Sequence, residues 1–274
     1  MKARRRFAQH FLDGSWVARL LAAIDPQPAD VVLEIGPGRG AITAPLARAV
    51  SRLVAVEVDR DLAAALAARV VPHVTVVTAD ILDVDLASLL ARALGGPIGP
   101  DRGVRVVGNL PYNITSPILF RLFDLAAATG GVTDACLMVQ KEVADRLVAD
   151  PGTKDYGVLT VFTALYADVT RLLRLPPGAF RPRPKVESAV VRLAFRPPSV
   201  APKDPVLFEG MVRSMFTQRR KTLANALRPF SDARGLPAAE ALRRAGLDSR
   251  RRPETLQVVE MARLADVFAV ADLA

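Results

Sequence analysis

The stretch that most constrains this chain is an apolar run ending in three alternating glycines. Val31-Val32-Leu33-Glu34-Ile35 leads straight into Gly36-Pro37-Gly38-Arg39-Gly40. A short run that is almost wholly apolar suits a strand covered on both faces, and glycines placed after it permit a tight turn that approaches a ligand closely. Three more Val-rich runs follow, at 53–57, 74–78 and 104–108, with helical patterns at 41–50 and 61–71 between them. Strands alternating with helices predict a doubly wound α/β sheet. Further strands are expected at 135–139, 169–175 and 189–195.

Residues 196–205 contain four prolines and read as a linker. Beyond them the pattern is helical only, at 206–217, 219–227, 238–245 and 258–271, with breaks at Gly235-Leu236-Pro237 and Gly246. The expected organisation is therefore a ligand-binding α/β domain over 1–197, a linker at 198–205 and a small helical domain over 206–274.

Carboxylates recur where strands of such a sheet end. Glu57 ends the second strand, 21 residues after Gly36, where an acid can accept hydrogen bonds from ribose hydroxyls; Asp80 follows the third. The dinucleotide fingerprint G-x-G-x-x-G is not met, because the third glycine comes one residue early. Glu34 stands just before the turn, where it could meet a cationic ligand. Both features favour S-adenosylmethionine, which is positively charged at sulfur and lacks a pyrophosphate, over NAD.

After the fourth strand comes Asn109-Leu110-Pro111-Tyr112. The exocyclic amine of a purine is a poor nucleophile because its lone pair is delocalised into the ring. Acceptors on its N–H groups, here the Asn109 side chain and the Leu110 carbonyl, can draw the nitrogen towards tetrahedral geometry. Pro111 offers no competing N–H, and Tyr112 offers a face on which a base can stack.

The net charge of +9 is unevenly spread: residues 171–274 carry +10 and residues 1–170 carry −1. A basic C-terminal part suggests a polyanionic partner, and Arg181, Arg183, Lys185, Arg219, Arg220 and Lys221 are the candidate phosphate contacts. A single cysteine, Cys136, excludes a disulfide framework, and two histidines leave little for a metal site, so no metal is expected. No run reaches the length of a membrane span, and no secretory signal follows the basic N-terminus, so a cytoplasmic protein without membrane contact is expected.

Taken together, these motifs resemble the bacterial small-subunit ribosomal RNA adenine dimethyltransferases. The resemblance covers Arg6-Phe7-Ala8-Gln9-His10-Phe11-Leu12, the 34–40 loop, Glu57, Asp80 and Asn109–Tyr112. It extends to Phe180-Arg181-Pro182-Arg183-Pro184-Lys185-Val186-Glu187-Ser188 and Gln218-Arg219-Arg220-Lys221-Thr222-Leu223. Ala8, His10 and Ala79 are modest departures from the family pattern. The resemblance implies a class I methyltransferase (Rossmann-like) sheet with an antiparallel last strand, followed by a helical RNA-binding domain. It implies that Gln9, His10 and Leu12 border the cofactor with Gly36, Gly38, Glu57, Asp80 and Asn109. Ile81 would flank the adenine of the cofactor, and Phe180 would face Tyr112 across the target base. The implied substrate is a pair of adjacent adenosines in a hairpin loop near the 3′ end of small-subunit rRNA, met by a monomer on the 30S subunit or its precursor. The alternatives are a large-subunit rRNA adenine methyltransferase of the macrolide-resistance type, an RNA-binding relative without chemistry, and an NAD(P) oxidoreductase.

Overall fold

The computed structural model describes residues 11–271. The chain divides into two compact units. The first is formed by the chain up to Ala144 and again by Tyr166–Pro197; the second is formed by Asp145–Leu165 and the chain from Pro198 onward.

In the first unit, β1 (Phe11–Leu12) leads into α1 (Gly14–Ile24), and β2 (Val31–Ile35), α2 (Thr43–Ala49), β3 (Arg52–Glu57), α3 (Arg60–Ala67) and β4 (Val74–Thr78) follow. Next come α4 (Leu86–Leu94), β5 (Val104–Asn109), α5 (Thr115–Thr129) and β6 (Val132–Gln140). After α6 (Lys141–Leu147) and α7 (Val158–Tyr166), the sheet is completed by β7 (Ala167–Leu175) and β9 (Ser188–Phe195), with the short β8 (Phe180–Arg181) between them. The seven-stranded order is β4-β3-β2-β5-β6-β9-β7. Neighbours from β4 to β6 are parallel, whereas β9 runs antiparallel to both β6 and β7. The antiparallel last strand implied by the family resemblance is thus present.

The chain leaves β2 towards β3 on one side and returns to β5 on the other. The carboxyl ends of β2 and β5 therefore splay their connections apart and leave a crevice, the place where open α/β sheets bind ligands. β1 pairs with β8 in a separate antiparallel ribbon, Leu12 opposite Phe180 and Phe11 opposite Arg181. This joins the N-terminal motif to the segment that begins at Phe180. The core is continuous beneath: Leu33, Leu53, Val54, Val106 and Leu137 have no exposed surface. Cys136 is buried in the apolar cluster with Leu53, Val107 and Val190, as its place in an apolar run suggests.

The second unit contains nearly all of α7, together with α8 (Pro205–Thr217), α9 (Leu223–Asp232), α10 (Ala238–Arg244) and α11 (Val258–Ala271). Met211 and Met215 lie on the buried face of α8. Two details differ from the sequence expectation. Residues 145–165, placed by sequence in the first domain, group with the helical tail. The Tyr156 hydroxyl donates to the Leu256 carbonyl at 2.7 Å, and Phe162 lies 5.9 Å from Phe208 between ring centroids. A helix expected at 219–227 instead spans Leu223–Asp232. Arg219 is drawn out of any helix by its ion pair with Glu254, and α9 runs on through Pro229 because the carbonyl that Pro229 cannot pair belongs to exposed Asn225.

β5 is held at its start by charge. The Arg105 guanidinium meets Asp30 at 2.6 Å and Asp134 at 2.8 Å, and donates to the Ile24 and Asp25 carbonyls at the end of α1. Arg192 donates to the Ile24 carbonyl as well, at 2.8 Å, and reaches Asp134 at 3.3 Å. Removing Arg105 leaves the largely buried Asp30 without its cation and Asp134 with Arg192 alone. Arg105→Ala is expected to lower unfolding free energy by roughly 2–4 kcal/mol, read as a lower urea midpoint, and Arg105→Lys to recover little of it because an ammonium lacks the planar fork. An unchanged midpoint in Arg105→Ala would show that the cluster contributes no net stability.

Candidate active site

A cavity of about 540 Å³ opens at the carboxyl ends of β2, β3 and β5. Its size is that of a small-molecule site. Its wall includes Leu12, Gly36, Gly38, Glu57, Asp80, Ile81, Asn109, Leu110, Tyr112 and Arg181. The sequence-expected residues of four separate strand ends are thus brought together.

The loop after β2 turns through positive φ at Gly36 (67°), Gly38 (58°) and Gly40 (79°), a region that side chains disfavour. A Cβ on Gly40 would also come within 2.7 Å of the Leu66 side chain, so the loop packs directly on α3. The Gly36 N–H donates to the Val56 carbonyl at 2.9 Å and fixes where the loop leaves the sheet.

Glu57 organises this loop. It is only 5% exposed, and its two carboxylate oxygens accept different backbone amides: Oε2 from Gly38 at 2.9 Å and Oε1 from Asp59 at 3.0 Å. Asp59 in turn caps α3 by accepting from Asp61 and Leu62. The Gly38 amide, which would cradle a phosphate in a dinucleotide site, is spent on a carboxylate. At that amide an anionic pyrophosphate would meet the Glu57 carboxylate instead of a free donor. A ligand with ribose hydroxyls and a positive centre fits this donor set, and S-adenosylmethionine has both. Asp80 is held by the Leu82 N–H, which donates to its Oδ1 at 2.9 Å, and Ile81 beside it presents an apolar wall.

On the opposite wall, Asn109 is the last residue of β5 and Leu110 N–H donates to the Met138 carbonyl at 3.2 Å. The Pro111 carbonyl accepts from Ile114 N–H at 3.1 Å and from the Thr115 hydroxyl at 3.0 Å, which closes the turn into α5. The Tyr112 hydroxyl lies 2.6 Å from Ser188 Oγ. Burial pushes the Tyr112 phenol up, with the Ser188 hydrogen bond opposing the rise, so the ring is neutral at physiological pH.

Two expected site residues lie elsewhere. Phe180 has no exposed surface and belongs to the apolar core with Leu12, Leu20, Leu175 and Val190, so in this conformation it offers no face to a base. Glu34 is 1% exposed and outside the cavity lining. Its Oε2 and the Thr43 Oγ1 are both buried without a hydrogen-bond partner among the described residues. Gln9 and His10 lie outside the described residues. Arg183 and Lys185 are exposed beyond Arg181. In the helical unit Arg220 and Lys221 are exposed, whereas Arg219 is engaged by Glu254 and donates to the Thr153 carbonyl at 3.2 Å. Among the described residues no group of three His, Cys, Asp or Glu could hold a metal, and no helix is long and apolar enough to cross a membrane. Ser188, the partner of the Tyr112 hydroxyl, enters the sequence analysis only as part of a motif.

The strand order and the cleft between β2 and β5 define a class I methyltransferase. Two solved structures share the fold over nearly the whole chain. A dimethyladenosine transferase from Plasmodium falciparum has a TM-score of 0.74 at 22% identity, covering 93% of this chain and 96% of its own. The 23S rRNA methyltransferase ErmE has a TM-score of 0.61 at 27% identity, covering 94% and 99%. The sequence matches the ribosomal RNA adenine dimethylases over residues 1–269, and the chain belongs to that family. Relatives called ribosomal RNA small subunit methyltransferase A are 46% identical in Xanthomonas campestris, covering 97% of this chain and 96% of theirs, and 43% identical in Acinetobacter baylyi, covering 97% and 92%. The methyl donor of this enzyme is accordingly S-adenosylmethionine.

Two outcomes test this geometry. Glu57→Ala frees the Gly38 amide and removes a ribose acceptor, so calorimetry should show S-adenosylmethionine bound more weakly by about 1–3 kcal/mol; unchanged affinity would remove Glu57 from the cofactor site. Glu34 predicts a pH effect. Burial raises its carboxyl to about 7, and the Glu57 charge adds to the rise. Between its ordinary value of 4.5 and about 7 the folded state holds a proton that the unfolded chain has released. The contribution is therefore full below 4.5 and is lost as pH rises through 7. Glu34→Gln, neutral throughout, should gain stability relative to the parent on going from pH 5 to pH 8, by up to about 3 kcal/mol. Parallel pH–stability curves for the two proteins would contradict this.

Proposed function

We propose that the protein dimethylates N6 of two adjacent adenosines in a hairpin loop near the 3′ end of small-subunit rRNA, within the small subunit or its precursor. The observation that carries the chemistry is the Asn109–Tyr112 turn on the cavity wall opposite Glu57 and Asp80. The names of relatives at 43–46% identity support the small-subunit substrate. When bound, S-adenosylmethionine supplies a methyl group on a positively charged sulfur. Gly36, Gly38, Glu57, Asp80 and Ile81 are the residues to hold it, with Leu12 closing one side and Asn109 the other.

The protein's own part is positioning and polarisation. The Asn109 side-chain oxygen and the Leu110 carbonyl accept from the adenine N6–H groups and make the nitrogen lone pair available. Tyr112 stacks on the base and holds N6 at the cavity. The proton of the methylated amine is acidic enough to leave to water, so no side-chain base is required. A second transfer needs the first methyl to rotate away while the same acceptors hold the nitrogen. An adenosine in a loop leaves its stack more readily than one in a duplex.

Arg181, Arg183 and Lys185 would guide phosphates at the cavity, and Arg220 and Lys221 would do so on the helical unit, which serves as an RNA-binding domain. Arg219 is placed chiefly to fix its own turn through Glu254. The protein acts as a monomer in the cytoplasm.

Radiolabel transfer to unmethylated small subunits, large subunits and naked rRNA, with nucleosides identified by mass, tests the function. N6,N6-dimethyladenosine in small-subunit RNA is expected, and Tyr112→Ala should lose at least about tenfold in rate while keeping most cofactor affinity. Product confined to large-subunit RNA would instead favour the resistance-type activity. Replacing Arg220 and Lys221 with Ala should reduce the log–log salt slope of RNA binding by about 1–2 units; an unchanged slope would place them off the RNA path.

A further inference from the structure

Stacking a base requires an aromatic ring, and phenylalanine would do it as well as tyrosine. The Tyr112 hydroxyl therefore calls for its own explanation, and its position gives one. It lies 2.6 Å from Ser188 Oγ, across 76 residues of sequence. Ser188 is 2% exposed, and its backbone is fixed on both sides as the first residue of β9, opposite Gln140 of β6 and Leu175 of β7. The Tyr112 ring projects from the turn that follows β5, where the Leu110 N–H donates to the Met138 carbonyl and Ile114 and Thr115 donate to the Pro111 carbonyl.

We propose that Ser188 is a positioning residue for methyl transfer: its hydroxyl fixes the Tyr112 ring plane at the angle from which the target base presents N6 to the cavity. The inference rests on the proposed role of Tyr112 as the stacking face. Its chemistry is that of a hydrogen bond between two hydroxyls, with no proton transferred to the substrate. Ser188 also ends the segment that begins at Arg181, and Arg181 itself lines the cavity. The basic 181–187 stretch is thus tethered at one end to the cavity wall and at the other to the tyrosine that would stack the base. Loss of the Ser188 hydroxyl should leave cofactor binding intact, because Gly36, Gly38, Glu57 and Asp80 lie on other strand ends. It should lower the rate at saturating substrate more than it raises the RNA KM, since the ring still stacks but at a less fixed angle.

The experiment is a double-mutant cycle on full-length protein with unmethylated small subunits, using Ser188→Ala, Tyr112→Phe and the double variant. Single-turnover methyl transfer, RNA KM, S-adenosylmethionine affinity by calorimetry and melting temperature are read for each. Each single variant should lose about three- to tenfold in transfer rate with cofactor affinity within about twofold. The double variant should be no slower than the slower single one, because both hydroxyls serve one contact. Losses that multiply in the double variant, or a Ser188→Ala rate equal to the parent's, would overturn the inference. So would a rate loss accompanied by equally weakened cofactor binding and a large fall in melting temperature, since that is the pattern of a merely structural role. A parent protein that transfers no methyl group contradicts the function itself and this inference with it, whereas an active parent with an unaffected Ser188→Ala contradicts this inference alone.

Discussion

The Glu57 carboxylate holds two backbone amides at once, and the cavity is organised around that fact. Gly38 on one oxygen sets the glycine loop, and Asp59 on the other sets the cap of α3. Without these bonds a buried carboxylate would be costly, and Gly38, in the middle of the loop, would lose the bond that ties it to β3. The same two bonds decide which ligand fits. They consume the amide that a pyrophosphate would need and leave a negative, hydroxyl-accepting wall.

The other wall depends on β5 being carried intact from one edge of the sheet to the other. Arg105 anchors its start with Asp30 and Asp134, and Asn109 stands at its end four residues later. At that end the backbone is crowded: a Cβ on Gly108 would lie 3.0 Å from the Ile35 carbonyl oxygen. The close approach of β2 and β5 brings Asn109 beside Gly36 and, on the proposed function, sets acceptors for an amine next to the cofactor loop. The order of the strands, more than any single side chain, makes this juxtaposition.

Much of this was legible in the sequence because it is local. The strands at 31–35 and 74–78 and the helix at 258–271 have the bounds that their apolar periods suggest. The glycine loop, Glu57, Asp80 and Asn109 announce themselves by residue type at strand ends. What escaped is set by distant partners. The helix expected at 219–227 starts later because Arg219 answers to Glu254, and 145–165 joins the tail because Tyr156 and Phe162 find partners near 256 and 208. Phe180, which the family resemblance casts as a stacking face, is sealed in the core by Leu12 and its neighbours, a consequence of the β1–β8 ribbon that no local pattern shows. Glu34 lies behind the loop for a similar reason: its place in the middle of a doubly covered strand turns its side chain into the protein. The partner of Tyr112, Ser188, could be suspected only from the motif in which it stands.

The account rests on one claim: that acceptors at the end of β5 deliver N6 of adenosine to the methyl donor. Mass analysis of small-subunit rRNA nucleosides from cells lacking this gene, complemented with either the parent or Asn109→Ala, tests it most directly. The account predicts that N6,N6-dimethyladenosine disappears on deletion, returns with the parent and fails to return with the variant. Undiminished dimethyladenosine after deletion, or full restoration by Asn109→Ala at equal expression, would contradict it.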